Sequence, residues 1–450
     1  MGIHKFFLHG LYILLDVNSG AIHSVDEMVY EIMDIFDGSN DQEVIAALGA
    51  KYAVEELAEG LAELKELQAA GALFSPEIEA PSNLNEEFLI KSLCLHLSHD
   101  CNLRCRYCFA GTGSFGQERS LMSYQTGEAA VEFLLKNSGA RKQCEIDFFG
   151  GEPLLNLDGL KQIVSYIRKR EKETGKVFAL TLTTNAVLLQ DEALKYLNDN
   201  EISLVLSLDG RQEVNDKMRP YPDGSGSYQS VLANIKRAVD SRQGKNYYLR
   251  GTFTAHNLDF AADVLSFAEM GFKELSVEPV VAKGAAYEIT EEHLPLIYAE
   301  YEKLAQEYLA KKASGEGFEF FHFNLGIENA PCLVKRLSGC GAGYEYFAVT
   351  PTGDLYPCHQ FVGRDGYKVG SVFDGLTEAG KNLAQEFKSA NVLNKPRCAD
   401  CWAKFYCSGG CHANAQLFSG NLLEPYEIGC QLQKKRLECA IMIQVKMALS

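Results

Sequence analysis

The sequence predicts an α/β protein in three parts: six strand-and-helix units forming a parallel sheet, a small β-then-α unit before them, and a cysteine-rich tail after them. Three observations carry this. Apolar strand-like runs alternate with helical patterns from residue 88 to 315. Two strand-like runs and three helical patterns precede them within residues 1–80. From residue 325 to 450 the alternation fades while Cys and Gly accumulate.

In residues 1–80, FFLHGLYILLDV and SGAIHSV read as strand-like runs separated by the turn residues Asn18, Ser19 and Gly20. Helical patterns follow at 26–36, 41–48 and 54–70, the last with Leu57, Leu61, Leu64 and Leu67 at helical spacing. Strands followed by three helices suggest a winged-helix-like unit, and SPEIEAPSNLNEE, 75–87, a linker. The same segment holds fifteen Asp and Glu against Lys5, Lys51 and Lys65. That is either a solvated acidic face or a surface attracting a basic peptide.

Strands are expected at 91–98, 144–150, 177–184, 202–209, 247–254 and 273–280, with helices near 123–137, 158–173, 190–199, 228–241, 258–270 and 291–312. Six such units make a sheet that is open or rolled into a partial, TIM-like (β/α)6 barrel, whose ligand edge is the carboxyl ends of its strands.

With 450 residues the chain exceeds what one core usually serves, so two or three domains are expected. No stretch approaches the roughly 20 apolar residues a membrane span needs, and MGIHKFFLHG lacks the pattern of a secretion signal, so the expected location is cytoplasmic. A formal charge of −17 argues against nucleic acid and anionic lipid as partners, because both require a basic surface. In a reducing compartment, fourteen cysteines at short spacings point to metal before disulfides.

The segment HLSHDCNLRCRYCFAGTG follows the first barrel strand and places Cys101, Cys105 and Cys108 in a loop at the ligand edge. Three thiolates can hold three irons of a cubane cluster and leave the fourth open. A structural zinc with His99 as fourth ligand is the alternative. At other strand ends stand Gly150, Gly151, Glu152 and Pro153, then Thr183, Thr184 and Asn185, then Ser207, with Arg219 twelve residues on. A Gly pair permits close backbone approach to a ligand. Thr184, Asn185 and Ser207 could bond a ligand or cap the following helices. In the tail, Cys340, Cys358, Cys398, Cys401, Cys407, Cys411 and Cys430 stand at spacings improbable for core packing, with two four-ligand zinc sites the alternative to iron-sulfur clusters. Cys94, Cys144 and Cys439 read as buried structural thiols.

The Cys-x3-Cys-x2-Cys loop, with Tyr107 before its last Cys, resembles the radical S-adenosylmethionine superfamily. The resemblance implies that the open iron binds S-adenosylmethionine and that its cleavage gives a 5′-deoxyadenosyl radical that abstracts hydrogen. GGEP resembles the segment in which Glu152 and the backbone hold the methionyl amine, and Arg219 resembles a carboxylate-binding Arg. The tail resembles the seven-Cys SPASM pattern. By that likeness Cys398, Cys401, Cys407 and Cys430 bind an outer auxiliary 4Fe-4S cluster and Cys340, Cys358 and Cys411 an inner one, three clusters in all. Cys332 is the inner cluster's fourth ligand, or the site is open to a substrate thiolate.

The amino-terminal unit resembles precursor-peptide recognition domains that take a leader as an added strand, the alternative being an unrelated cap or dimerisation module. As a whole the chain resembles thioether-forming maturases (sactisynthases), those acting on clostridial six-cysteine peptides above all. This implies a Cys-rich precursor peptide as substrate and an external donor of flavodoxin or ferredoxin type. Sulfatase maturases share the architecture but place an Asp after the second SPASM Cys, where this chain has His359, a residue that could itself accept a proton. Carbon-carbon crosslinking is another reading, and an iron-sulfur electron-transfer or peptide-binding protein is the alternative of a different class.

Overall fold

The computed structural model describes residues 2–78, 88–325 and 337–449. Most of the expected linker, and Cys332, lie outside the described residues.

The amino-terminal unit begins with a hairpin. β1 (Ile3–Leu8) and β2 (Leu11–Asp16) pair antiparallel, and β3 (Ile22–Val25) joins β2. His9 and Gly10 connect the first two with φ of +49° and +81°, the paired left-handed conformation of a two-residue hairpin turn. The single run read over FFLHGLYILLDV is therefore two strands. His9 gives no turn signal in sequence.

Three helices follow, Glu27–Ile32, Asp41–Leu48 and Val54–Ala69, and Asp26 caps the first by accepting from Val29 N at 2.8 Å. The strand period of two decides the packing. Leu14 of β2 joins Val29, Ile32, Leu57, Leu61 and Leu64 in the unit's own core. Its neighbours Ile13 and Leu15 point the other way into the main core of the chain. Each such burial contributes about 1.5–3 kcal/mol, so the sheet is held from both faces. His4 of β1 stacks on Trp402 at 3.7 Å, and its Nε2 lies 3.2 Å from Glu438.

The six expected barrel strands form in order: β4 (Ser92–Ser98), β5 (Gln143–Gly150), β6 (Val177–Thr184), β7 (Ser203–Ser207), β8 (Tyr247–Phe253) and β9 (Glu274–Pro279), each parallel to the next. Helices Tyr124–Asn137, Leu157–Thr174, Asp191–Asp199, Tyr228–Ser241, Phe260–Glu269 and Leu294–Ala313 lie where the periodicity put them, and Gln212–Met218 is an additional short helix. All seven residues of β4 are buried, as both faces of a parallel sheet must be.

β10 (Glu319–Phe320) extends the sheet beyond β9. At the other side β11 (Tyr346–Val349) of the tail pairs in parallel with β4, followed by antiparallel β12 (Asp354–Tyr356), β13 (Gly370–Ser371) and β14 (Gly375–Leu376). Because β4 is hydrogen-bonded on both sides, it cannot close onto β9, and the barrel stays partial. The sequence did not show that the tail continues the sheet, since a four-residue strand leaves little periodicity. The carboxyl-terminal helix Glu427–Leu449 packs on Leu294–Ala313 and on β1. Cys94, Cys144 and Cys439 are buried, as expected. Among the described residues no helix is long and apolar enough to cross a membrane.

Candidate active site and cysteine centres

Cys101, Cys105 and Cys108 lie in the loop after β4, at the carboxyl edge. The loop is fastened from below: Arg104 N and Arg106 N donate to Pro220 O and Met218 O at 2.8 and 2.9 Å, and Cys108 N to Cys105 O at 3.2 Å. Burial, then the charge of Glu152 and those of Cys105 and Cys108, push the Cys101 thiol up to about 12. Burial pushes Cys105 up to about 11. Thiols so placed ionise readily only against a cation or metal.

The GGEP segment serves the loop itself. Gly151 N donates to Ser98 O and Glu152 N to Asp100 O, both at 2.8 Å. A Cβ on Gly150 would stand 2.3 Å from Ser98 O, and one on Gly151 2.2 Å from Asp100 O. The close approach expected of the Gly pair is thus made to the chain's own Cys loop. Glu152 is fully buried, its Oε1 accepting from Leu154 N at 3.0 Å and Thr184 Oγ1 at 2.8 Å, its Oε2 from Asn185 N at 2.9 Å. Burial outweighs these donors and raises its pKa to about 7.

Asn185 reaches the trio directly, Nδ2 lying 3.6 Å from Cys101 Sγ and 2.8 Å from Asn102 Oδ1. Thr184 and Asn185 accept from Ala186 N and Val187 N, each at 3.0 Å, whereas the next helix begins at Asp191. The helix after Ser207 starts at Gln212 with Arg211 at its cap. The reading of these residues as helix caps is therefore set aside. Ser207 stands half-buried at the end of β7, in register with Arg250.

Arg219 is buried rather than free. Its Nη1 donates to Tyr107 Oη at 2.9 Å and lies 3.8 Å from Asp209, while Tyr107 donates to Asp209 Oδ2 at 2.6 Å. This triad ties the aromatic residue of the Cys loop to the end of β7. Asp209 escaped the sequence reading, although it sits two residues after Ser207 at the same sheet edge.

The tail cysteines fall into two groups. Besides burial, Cys407, Cys398 and Cys401 raise Cys430 to about 11. Cys358, buried, is raised to about 12 with Cys411 and Cys340 as its neighbouring thiols. His359, next in the chain, meets Tyr346 Oη at 3.1 Å through Nδ1 and packs 5.0 Å from Phe149 and 5.5 Å from Phe109, the residue after Cys108. It thereby links the tail to the first Cys loop. Burial lowers its pKa to about 4, leaving it neutral at neutral pH.

These donor sets fit iron-sulfur clusters. Thiolates are their natural ligands. Among the described residues no group of three or more His, Cys, Asp or Glu is arranged for a single metal ion. His99, the fourth ligand of the zinc alternative, faces His96 at 3.1 Å instead.

Residues 92–233 match the family described as 4Fe-4S single cluster domain, and residues 340–402 match SPASM, the iron-sulfur cluster-binding domain. A cysteine-type anaerobic sulfatase-maturating enzyme of Clostridium novyi is 24% identical over 338 residues, covering 71% of this chain and 87% of that one. Mycofactocin maturase MftC of Mycolicibacterium smegmatis is 27% identical over 361 residues, covering 77% and 84%. Among solved structures, native anSMEcpe with bound AdoMet and Cp18Cys peptide aligns at TM-score 0.66 and 22% identity over 79% of this chain and 98% of that one. Streptococcus suis SuiB bound to precursor peptide SuiA aligns at 0.54 and 17% over 96% and 98%. The chain is a radical S-adenosylmethionine protein with a SPASM domain. Its two named relatives here are maturases.

Proposed function

We propose that the chain installs Cys sulfur-to-carbon thioether (sactionine) crosslinks in a ribosomally made, Cys-rich precursor peptide. Cys101, Cys105 and Cys108 hold the first 4Fe-4S cluster. Cys398, Cys401, Cys407 and Cys430 hold the outer auxiliary cluster, and Cys340, Cys358 and Cys411 the inner one. When bound, the first cluster would supply the electron that cleaves S-adenosylmethionine to methionine and a radical able to take one hydrogen from a peptide carbon; forming the carbon-sulfur bond would release the thiol proton and one electron, for which the auxiliary clusters would be the acceptors.

The chain's own residues shape this. Glu152 receives the methionyl amine, while Gly150 and Gly151 fix the Cys loop against it. Asn185 orients Cys101, Thr184 holds Glu152, and Ser207 faces the cofactor from the end of β7. Tyr107 and Arg219, locked with Asp209, set the floor of the site, so Arg219 positions the loop more than it binds carboxylate. His359, neutral and facing the first Cys loop, accepts the thiol proton.

The leader is received by the amino-terminal unit. Its sheet order is β1-β2-β3, so β3 is an edge strand able to pair with an added one. SuiB, which aligns over nearly all of this chain, was solved with its precursor peptide.

The observation that supports the thioether reading is the inner cysteine group: Cys340, Cys358 and Cys411 are three, and the fourth position falls to Cys332, which lies outside the described residues, or to a peptide thiolate. Oxidation of the sulfatase-maturase kind is the second reading, supported by the relatives, but His359 replaces the Asp of that family. Incubation with a Cys-rich precursor, S-adenosylmethionine and reductant, followed by mass spectrometry, separates them. A loss of two hydrogens with one thiol protected from alkylation is expected. The same loss with every thiol alkylatable refutes the thioether.

A further inference from the structure

Lys395 is fully buried. A buried ammonium without an anionic partner is strongly unfavourable. Among the described residues its Nζ makes one hydrogen bond, 2.7 Å to Gly409 O, leaving two N–H groups for something else. Among the described residues no carboxylate pairs with it, and the charges that act on it are those of cysteines. Gly409 stands midway between Cys407 of the outer group and Cys411 of the inner one, and Cys398 N donates back to Lys395 O at 2.9 Å. Burial lowers the pKa of Lys395, while the charges of Cys398, Cys407, Cys411 and Cys430 oppose that, three from one group and one from the other.

The linker that Lys395 grips is itself unusual. Ser408, Gly409 and Gly410 all adopt left-handed φ, +56°, +83° and +72°. In that conformation Gly409 O accepts from Lys395 Nζ within the segment that joins Cys407 to Cys411. A Cβ on Gly409 would meet Lys395 Nζ at an ordinary 3.5 Å, so the left-handed φ, not a lack of space, is what favours glycine there.

We propose that Lys395 is the shared counter-charge of the two auxiliary clusters, a positioning residue that raises the reduction potential of both and so favours their acceptance of an electron. The inference rests on the auxiliary-cluster reading above. A cluster with four thiolates is anionic and gains negative charge on reduction, so a nearby buried cation stabilises the reduced form in each. Cluster charge in turn supplies the partner that the buried ammonium lacks.

The test is potentiometric titration of the auxiliary clusters, followed by electron paramagnetic resonance, in protein whose first cluster is removed by Cys101→Ala. Lys395→Gln keeps a donor for Gly409 O without charge, Lys395→Met removes both, and Lys395→Arg keeps the charge. Both potentials are expected to fall in the Gln and Met variants by at least a tenfold change in the reduction equilibrium, about 59 mV for one electron, and to recover in the Arg variant. If the uncharged variants fold but lose auxiliary iron that the Arg variant retains, the same conclusion follows. Unchanged potentials in variants with full auxiliary iron overturn the proposal, as does a shift confined to one cluster. Failure of the parent Cys101→Ala protein to bind auxiliary iron contradicts the cluster reading instead.

Discussion

The carboxylate of Glu152 accepts the backbone N–H of Asn185 at 2.9 Å, joining the ends of two neighbouring strands beneath Cys101. Its other oxygen takes the Thr184 hydroxyl. Glu152→Gln would turn an amide group toward at least one of these donors. The expected cost is about 1–3 kcal/mol of stability, read by denaturant unfolding of the cluster-free chain, together with weaker binding of S-adenosylmethionine. Unchanged unfolding would show that the clasp carries no energy.

Glu152 also sets a pH dependence. Burial raises its pKa to about 7, above the unfolded value of 4.5. The folded chain therefore holds a proton that the unfolded chain has lost, so stability attributable to this group is present below pH 4.5 and is lost as pH rises toward 7. Binding of the cofactor amine needs the ionised form. Affinity for S-adenosylmethionine should rise about tenfold from pH 6 to pH 8, and Glu152→Gln should flatten that rise in calorimetric titration.

Arg219 separates a structural clamp from a ligand-binding cation. Arg219→Ala leaves Asp209 buried without its cation, a loss of about 3–5 kcal/mol visible in the unfolding of the chain without cofactor. A freely exposed cofactor ligand would change binding and leave unfolding alone. Tyr107→Phe removes both hydrogen bonds of the tyrosine but leaves the Arg219–Asp209 charge pair, and should cost less, about 1–2 kcal/mol.

His359 is expected to matter after hydrogen abstraction. His359→Phe preserves the packing against Phe149 and Phe109 while removing the acceptor, so crosslinked peptide should form about 10²–10⁴ times more slowly. Release of 5′-deoxyadenosine should persist. Equal loss of both would place His359 earlier in the sequence of events.

What could be read from the sequence, and what could not, follows from range. Each barrel strand and its helix is a local periodic pattern and so was legible, whereas the grouping of the tail cysteines came from resemblance to the SPASM pattern and not from spacing alone. The Tyr107–Asp209 bond spans 102 residues, and the pairing of β11 with β4 sets Phe347 beside Leu93. Neither leaves a local trace. Gly150 and Gly151 were visible as a close approach, but only coordinates show that Ser98 O and Asp100 O of the Cys loop stand against them. Nothing in the sequence singles out Lys395, whose burial and bond to Gly409 O appear only in the fold.

The central claim is that Cys101, Cys105 and Cys108 carry a cluster that cleaves S-adenosylmethionine. The most direct measurement is 5′-deoxyadenosine release by anaerobic, reduced, cluster-loaded protein, compared with Cys101→Ala. Release is expected from the parent chain and none from the variant, which should still retain about two clusters' worth of iron by the 4Fe-4S assignment of the tail. No release from the fully loaded parent, or full iron retention by the variant, would contradict the account.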